Sequence, residues 1–442
     1  MLGRLRQYTA IVIALIIFAS SIIYLFWQLT EKKVAPAARL NPVKIYYADN
    51  ISSAHQLVLN AFNQTYRGKI EVVPIHLPFS KFSTNERKEL LARALRSNEG
   101  ELDIFAVDLI WVPRFARWAE PLSPRINQNL QNIFLKEALK SCYYENRLVA
   151  LPLYIDTGLL YYRKDLLRHY FSDFEAIEKK ILKSISWNEL LDLSRRLPEE
   201  KGAFFLYSAK NFEGLVCSFI ELILNLDPNY FDDDVLSFDT GTAQKALQFL
   251  VDIVQKEKIA PISITENDEY RTSIYALENK GFFWRGWPGF KTQYSATPRF
   301  EGMLDNLAVA ALPHFKKENP ISVFGGWNLM ISNKSLYKKE ARMFIDFFHK
   351  AENQKIMYEN GGYLPTVRAI YADSVFISNH SEVLYYQKLL ARGAHRPYRV
   401  NYTQMSDVLA YYVQRAIKNE ISVGEALKLA TAEINSEKVL VR

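Results

Sequence analysis

The sequence is poor in the residues and motifs that hold metals and cofactors. Its 442 residues include two cysteines, too few on their own for a structural zinc site, and seven histidines, none paired with another at helical ligand spacing. It contains no Gly-Lys-Ser/Thr phosphate loop, no Rossmann glycine triplet, no His-Glu-x-x-His pair and no Gly-x-Ser-x-Gly element. We therefore expect no metal and no cofactor. An enzyme whose acidic residues meet only in three dimensions stays open.

The chain also has little net charge outside its N-terminus. The formal net charge is +7, but residues 1–40 hold five Lys or Arg against one Glu, which leaves 50 basic against 47 acidic residues in the rest of the chain. This balance does not favour nucleic-acid binding. Hydrophobic residues make up 49% of the chain and charged residues 23%, as in ordinary globular proteins, and the length favours more than one hydrophobic core.

The two cysteines, Cys142 and Cys217, leave two interpretations open. An oxidising compartment would permit a disulfide between them. The alternative, which we favour, is a pair of buried thiols.

The N-terminus contains a long uncharged stretch. Residues 8–27 carry no charge, which is enough helix to cross a hydrocarbon core, and Tyr24 and Trp27 lie at its end, where aromatic residues favour the membrane interface. A cleavable signal peptide usually has a shorter apolar region, and the nearest small-residue triplet, residues 35–37, lies well beyond Lys33. We predict a transmembrane signal anchor at residues 1–30, with cleavage as the alternative, and a linker at residues 31–42.

From residue 42 onward the chain alternates between β-rich and helical patterns. Residues 43–48 and 70–75 read as strands, and Leu57, Val58 and Phe62 recur between them at helical spacing. A third strand is expected at residues 103–108. This alternation predicts an α/β fold with helices covering the sheets.

Five segments carry a resemblance to a known family. They are residues 108–112, 152–167, 325–329, 361–366 and 396–398. In this order and spacing the chain resembles the family 1 extracellular solute-binding proteins, and among them the maltose/trehalose-binding group. The similarity extends from about residue 43 to the C-terminus.

The resemblance implies a two-lobed, periplasmic-binding-protein-like fold with a hinge and a ligand cleft between the lobes. Lobe 1 should comprise residues 43–153 and 313–362, and lobe 2 residues 154–312 and 363–442. The chain would then cross between lobes near Leu153, Pro313 and Gly362. Ligand contacts drawn from both lobes favour closure.

The function implied by the resemblance is transport. We expect the substrate-binding component of an ABC importer, which captures a carbohydrate, either a di- or an oligosaccharide, and delivers it to the permease subunits without catalysis. The N-terminal helix would hold it at the cell membrane, with the binding domain outside the cytoplasm. Two alternatives are a tethered receptor that signals without transport and a carbohydrate-cleaving enzyme that uses Asp108 and Asp156 as acid and base. A ligand other than a sugar also stays open.

A sugar is bound by groups that match its surface. It presents paired hydroxyls, which carboxylates and arginines bind bidentately, and C–H faces on which aromatic rings stack. The predicted ligand contacts are Asp108, Tyr154, Asp156, Trp284, Trp287, Gly325, Gly326, Trp327 and Arg396.

The two acids each have a structural alternative. Asp108 follows an apolar strand, at the strand end where ligand sites of α/β folds gather, but it would also cap the helical segment after it. Asp156 lies beside the presumed hinge and resembles the family's ligand-binding acid; its alternative is a turn residue.

The aromatic platforms are also expected by resemblance. Gly325, Gly326 and Trp327 resemble the family's Gly-Gly-Trp element, in which backbone amides approach the sugar and the indole stacks on it. The alternative for Trp327 is a core residue. Either Trp284 or Trp287 should form a second platform, and the sequence does not decide between them.

The remaining contacts are an arginine and a tyrosine. Arg396 matches a family arginine that reaches the cleft, although Arg392 and Arg399 lie close by in the sequence. Tyr154 is expected to contribute a hydroxyl. Where the family has a polar contact after its first strand, this chain has the segment that begins at Asp49, and we predict no ligand contact there.

Overall fold

The computed structural model describes residues 19–20, 41–78, 81–82, 84–97, 102–122, 129–198, 203–232, 236–295, 297–316 and 320–436. The predicted signal anchor and linker therefore lie outside the described residues, except for residues 19–20 and 41–42. Within the described ranges, no helix has both the length and the apolar character needed to span a membrane.

The described residues form strands of two to ten residues. They are β1 Val43–Asp49, β2 Ile70–His76, β3 Ile104–Asp108, β4 Tyr143–Tyr144, β5 Arg147–Leu148, β6 Leu151–Thr157, β7 Leu159–Arg163, β8 Phe205–Leu206, β9 Phe283–Gly286, β10 Leu307–Ala310, β11 Ser322–Ile331 and β12 Gly393–Ala394.

Two sheets organise these strands. The larger sheet has the order β12-β11-β3-β1-β2, and β6 also pairs with β11. Strands β1, β2 and β3 are parallel, whereas β11 runs antiparallel to both β3 and β6. The smaller sheet has the order β10-β7-β9-β8 and lies entirely within residues 159–310. Strands β4 and β5 form a separate hairpin.

Helices cover both sheets. They are α1 Ser53–Thr65, α2 Thr84–Arg96, α3 Val112–Phe115, α4 Leu130–Ile133, α5 Lys136–Lys140, α6 Lys164–Tyr170, α7 Phe174–Leu182, α8 Trp187–Arg195, α9 Glu213–Leu226, α10 Gly241–Gln255, α11 Glu269–Glu278, α12 Phe290–Tyr294, α13 Lys338–Phe348, α14 Ala351–Gly361, α15 Ser374–Asn379, α16 Glu382–Leu390, α17 Tyr402–Ile417 and α18 Val423–Ile434. Short 3₁₀ turns lie at Leu109–Trp111, Ala116–Trp118, Ile262–Glu266, Pro298–Phe300, Leu304–Asn306 and Arg368–Ala372.

Helix α1 shows why such segments fold locally. The Ser52 side chain accepts a hydrogen bond from the His55 amide, which satisfies one of the free donors at the helix start. Val58 and Phe62 then recur four residues apart and are fully buried against the larger sheet. The predicted β-α-β unit is therefore confirmed.

Both cysteines are free thiols and are buried. Cys142 lies next to the side-chain oxygen of Asn328 on β11, and Cys217 lies inside α9. Burial raises the pKa of both thiols, so neither is a reactive thiolate at neutral pH.

Candidate functional site

Strands β3, β6 and β11 bring several of the predicted contacts together. In the register of the larger sheet, Trp327 on β11 pairs with Asp108 on β3 and with Tyr154 on β6. Gly325 pairs with Asp156 two positions away. The chain reverses direction between β3 and β11, so the carboxyl end of β3 meets the middle of β11. We call this region the candidate site.

Two adjacent glycines allow close approach in the middle of β11. Gly326 has φ +123°, and a Cβ atom there would lie 2.5 Å from the backbone oxygen of Tyr154. A Cβ atom on Gly325 would lie 2.8 Å from Cζ3 of Trp287. Only glycine fits both positions, and the absence of side chains lets the Trp287 indole lie against the strand.

Asp108 caps the turn that follows it and also binds an arginine. Its Oδ1 accepts a hydrogen bond of 3.1 Å from the Ile110 amide, which caps the 3₁₀ turn, and one of 2.9 Å from Nη2 of Arg396. Burial raises the pKa of Asp108, the charge of Arg396 opposes this rise, and the charge of Glu213 adds to it. The capping role and a place in the candidate site are therefore compatible.

Arg396 joins Asp108 to a residue that sequence reasoning missed. Its Nη1 donates to Oε1 of Glu213, the first residue of α9, over 2.5 Å. Glu213 also accepts hydrogen bonds from the hydroxyls of Tyr402 and Ser406 on α17. Arg396 is 2% exposed, so this is a buried and charge-assisted network.

Asp156 has an unmatched oxygen. Its Oδ1 is buried and has no hydrogen-bond partner among the described residues. Burial raises the pKa of Asp156 to about 8; the charge of Asp108 adds to the rise and that of Arg285 opposes it. The side chain is thus mostly protonated at neutral pH in the absence of ligand.

Arg285 lies between an acid and an aromatic ring. It donates to Glu221 through Nη2 over 3.0 Å and through Nε over 3.3 Å, and its guanidinium lies 3.8 Å from the centre of the Trp287 ring. The Trp287 indole donates to Oε1 of Glu269 over 3.3 Å. Glu221 was missed, although a single acid inside the apolar run of α9 signals a buried partner.

Trp284 and Trp287 have different environments. Trp284 is 0% exposed and stacks on Tyr161 at a ring distance of 5.5 Å, inside the core of the smaller sheet. Trp287 is partly buried, between Arg285 and Gly325.

Trp327 and Tyr154 lie in an aromatic group beside these charges. Trp327 is 7% exposed; its ring lies 4.2 Å from the guanidinium of Arg87 and contacts Trp111 edge-on at 5.4 Å. The Tyr154 ring lies 4.6 Å from that of Tyr363.

The acid at the end of β1 is bound internally. Asp49 accepts from the Tyr47 hydroxyl over 2.6 Å and from Nη2 of Arg87 over 3.3 Å, and it lies 3.4 Å from Nε2 of His55. Burial alone would raise the pKa of Asp49, but His55, Arg87 and Tyr47 together hold it below the ordinary value. Asp49 therefore orders Arg87, which packs on Trp327.

Two cavities lie near these elements. One of about 20 Å³ is lined by Glu221 and Arg285 and has room for a water molecule, not a sugar. A larger one of about 570 Å³ contains none of the predicted contacts. It is lined by Arg96, Arg114, Arg117, Trp118, Val400, Asn401, Thr403 and Gln404. In the described part of the chain, no three His, Cys, Asp or Glu residues are grouped to hold a metal ion.

Comparisons with known proteins agree with this architecture. Residues 47–355 match the family of bacterial extracellular solute-binding proteins. A probable ABC transporter-binding protein of Deinococcus radiodurans is 24% identical over 364 residues, which cover 79% of this chain and 83% of that protein.

Solved structures show the same fold. The maltose-bound MalE3 of T. maritima has a TM-score of 0.79 and 28% identity and covers 89% of this chain and 99% of its own. A solute-binding protein of an ABC transporter from Thermotoga lettingae, bound with α-D-tagatose, has a TM-score of 0.75 and 23% identity, with coverage of 89% and 99%. The fold is thus the mixed α/β, two-lobed fold of these proteins. Because the family match spans most of the chain, this protein belongs to the bacterial extracellular solute-binding proteins.

Proposed function

We propose that this chain is the extracytoplasmic substrate-binding component of an ABC importer, that its ligand is a carbohydrate of the di- or oligosaccharide class, and that it delivers this ligand to a permease without chemical conversion. The observation that carries the proposal is the set of unpartnered polar atoms beside an aromatic ring in the candidate site. Asp156 Oδ1 and Arg285 Nη1 are buried polar atoms without hydrogen-bond partners among the described residues, and the Trp287 indole lies beside Arg285. A carboxyl group, a guanidinium donor and an aromatic face together match the hydroxyls and the C–H surface of a sugar.

In this proposal the ligand lies between two lobes, with lobe 1 at residues 43–153 and 313–362 and lobe 2 at residues 154–312 and 363–442. Support comes from Arg396, which connects Asp108 of the first lobe with Glu213 of the second. Ligand contacts to both lobes would add to this link and favour the closed form.

Trp287 is the second platform in this proposal, and Trp284 is a core residue. Trp284 has no exposed surface, whereas Trp287 lies against Gly325 of β11. The solved relatives are described with maltose and with tagatose, which supports a carbohydrate ligand.

The N-terminal segment completes the proposal. The uncharged residues 8–27 would anchor the protein in the cell membrane and keep the binding domain outside the cytoplasm, close to its permease. Copurification of a permease with the full-length chain would support delivery. Ligand binding without such a partner would favour a signalling receptor.

A thermal-shift experiment tests ligand binding. The full-length chain, purified in a detergent without a sugar headgroup, is heated with mono-, di- and oligosaccharides. A ligand at 100 times its Kd stabilises the fold by about 2.7 kcal/mol, which corresponds to about 3 °C for a chain of this size. We expect a shift with one sugar class.

Matched tryptophan variants identify the site. The shift should be lost in Trp287→Ala and retained in Trp118→Ala, because Trp118 lies on a 3₁₀ turn outside the predicted contacts. The proposal fails if no carbohydrate shifts the melting temperature. Release of sugar fragments would instead indicate an enzyme.

A further inference from the structure

The candidate site has more carboxylates than cations, and all of these carboxylates are buried or partly buried. Five acids surround two guanidiniums: Asp108, Asp156, Glu213, Glu221 and Glu269 around Arg285 and Arg396. Nearby Arg87 and Lys88 are paired with Asp49 and Asp407, so these two cations do not change this balance.

Three of the acids are satisfied within the protein. Arg285 binds Glu221 through two nitrogens, and Arg396 is shared between Asp108 and Glu213. Both guanidiniums are 2% exposed, so water does not replace these partners.

The other two acids have no cation of their own. Glu269 accepts the Trp287 indole N–H, and Asp156 Oδ1 accepts nothing from the described residues. Arg285 is close enough to lower the pKa of both acids, but burial outweighs this effect and raises each pKa above its ordinary value. A buried carboxylate without a partner avoids its charge by keeping a proton.

A cationic group on the ligand would change this balance. It would supply the charge that Asp156 lacks and displace its proton, and aromatic faces stabilise a cation further. Aromatic residues lie near Asp156. Tyr154 is two residues away on β6 and its ring lies 4.6 Å from that of Tyr363, while Trp287 lies against Gly325, the strand partner of Asp156.

We propose that the preferred ligand is a carbohydrate with a basic amino group, whose ammonium pairs with Asp156 while its ring lies on Trp287. This inference rests on the proposed function and narrows its ligand class. A neutral sugar would find Asp156 as a protonated hydrogen-bond donor and leave the site with its excess of acids.

The test compares sugars that differ only in the substituent at one ring carbon, which is a hydroxyl, a free amine or an N-acetyl group. Ligand binding is measured by calorimetry on the full-length chain at about pH 6.5. The first series of probes is glucose, glucosamine and N-acetylglucosamine. The second is the corresponding galactose series, and the third is the β-1,4-linked disaccharides of the glucose series. The free amine should bind at least about tenfold tighter than both neutral partners in at least one series. Repeating the titration in two buffers of different ionisation enthalpy should show release of about one proton per amino sugar bound.

Variants assign the effect to the acids. Asp156→Asn should abolish the preference for the amine and the proton release, and Glu269→Gln provides a second variant if the first fails to fold. Asp165→Asn is the matched control, because Asp165 is bound to Arg163 outside the site, and it should keep both effects.

The outcomes separate the two proposals. Neutral sugars that bind as tightly as their amines, or a preference that survives in both site variants, would overturn the cationic ligand and leave the sugar receptor intact. Binding of no carbohydrate in any series would overturn the proposed function, and the inference with it.

Discussion

Replacing Asp156 with asparagine should stabilise the protein progressively as the pH rises. Burial raises the pKa of this carboxyl to about 8, against an ordinary value of 3.8 that applies to the unfolded chain. Between these two values the folded protein binds a proton that the unfolded chain has lost. The stability of the natural protein therefore falls as the pH rises through this window.

The magnitude follows from the shift. Each pH unit inside the window costs about 1.4 kcal/mol, so the penalty from Asp156 grows by about 3–4 kcal/mol between pH 5 and pH 8. Asparagine does not titrate. The difference in free energy of unfolding between Asp156→Asn and the natural protein should therefore increase by this amount over the same range.

Urea unfolding of the ligand-free, full-length protein at pH 5, 6, 7 and 8 measures this difference. Asp165→Asn is the control: burial favours the neutral form of Asp165, but hydrogen bonds and the charge of Arg163 outweigh it and keep its pKa below the ordinary value. The stability that Asp165 contributes is lost only as the pH falls below about 4, so its variant should differ from the natural protein by a constant amount. If the difference in free energy of unfolding between Asp156→Asn and the natural protein also stayed constant from pH 5 to pH 8, the raised pKa of Asp156 would be refuted.

Four further predictions concern the scaffold. Gly326→Ala should destabilise the protein by at least about 2 kcal/mol in urea unfolding, because φ is +123° and a backbone oxygen lies 2.5 Å from the added carbon. Gly424→Ala, with nothing within 4 Å, should stabilise α18 by about 0.5–1 kcal/mol, and a loss there would contradict the helix position. Trp284→Ala should cost about 3–5 kcal/mol as a core truncation, which a denaturation midpoint close to that of the natural protein would exclude. Cys142 and Cys217 should resist alkylation until denaturant is added, and should then both react without prior reduction; a mass showing a disulfide would contradict this.

The sequence predicted those elements whose periodicity is local. Strands β1, β2 and β3 lie within a residue of their predicted positions. Strand β11 was the exception. Its residue pattern predicts a strand only over residues 328–332. The strand begins instead at Ser322, because pairing with β6 on one side and β3 on the other holds Gly325 and Gly326 in a strand that their intrinsic preference disfavours.

The ionic contacts of the site were beyond sequence reasoning for a different reason. Arg396 binds Asp108 across 288 residues and Glu213 across 183 residues, and nothing in the local pattern links these positions. Glu269 begins α11 and reads as an ordinary acidic residue of a first helical turn. The sequence therefore identified residue types that suit a sugar site, while the ratio of acids to cations became visible only in three dimensions.

The choice between the two tryptophans shows how one missing strand limits a site prediction. The sequence pattern of residues 284–287 favours a loop, in which either indole could face the ligand. In the structure, Phe283–Gly286 is a strand, so alternate side chains point to opposite faces of the sheet. Trp284 faces Tyr161 and the core, whereas Arg285 and Trp287, two residues apart, continue the other face, where the guanidinium lies on the indole. The same alternation places Arg285 beside both the indole and the acids, so the strand positions the aromatic surface and the charge of the site together.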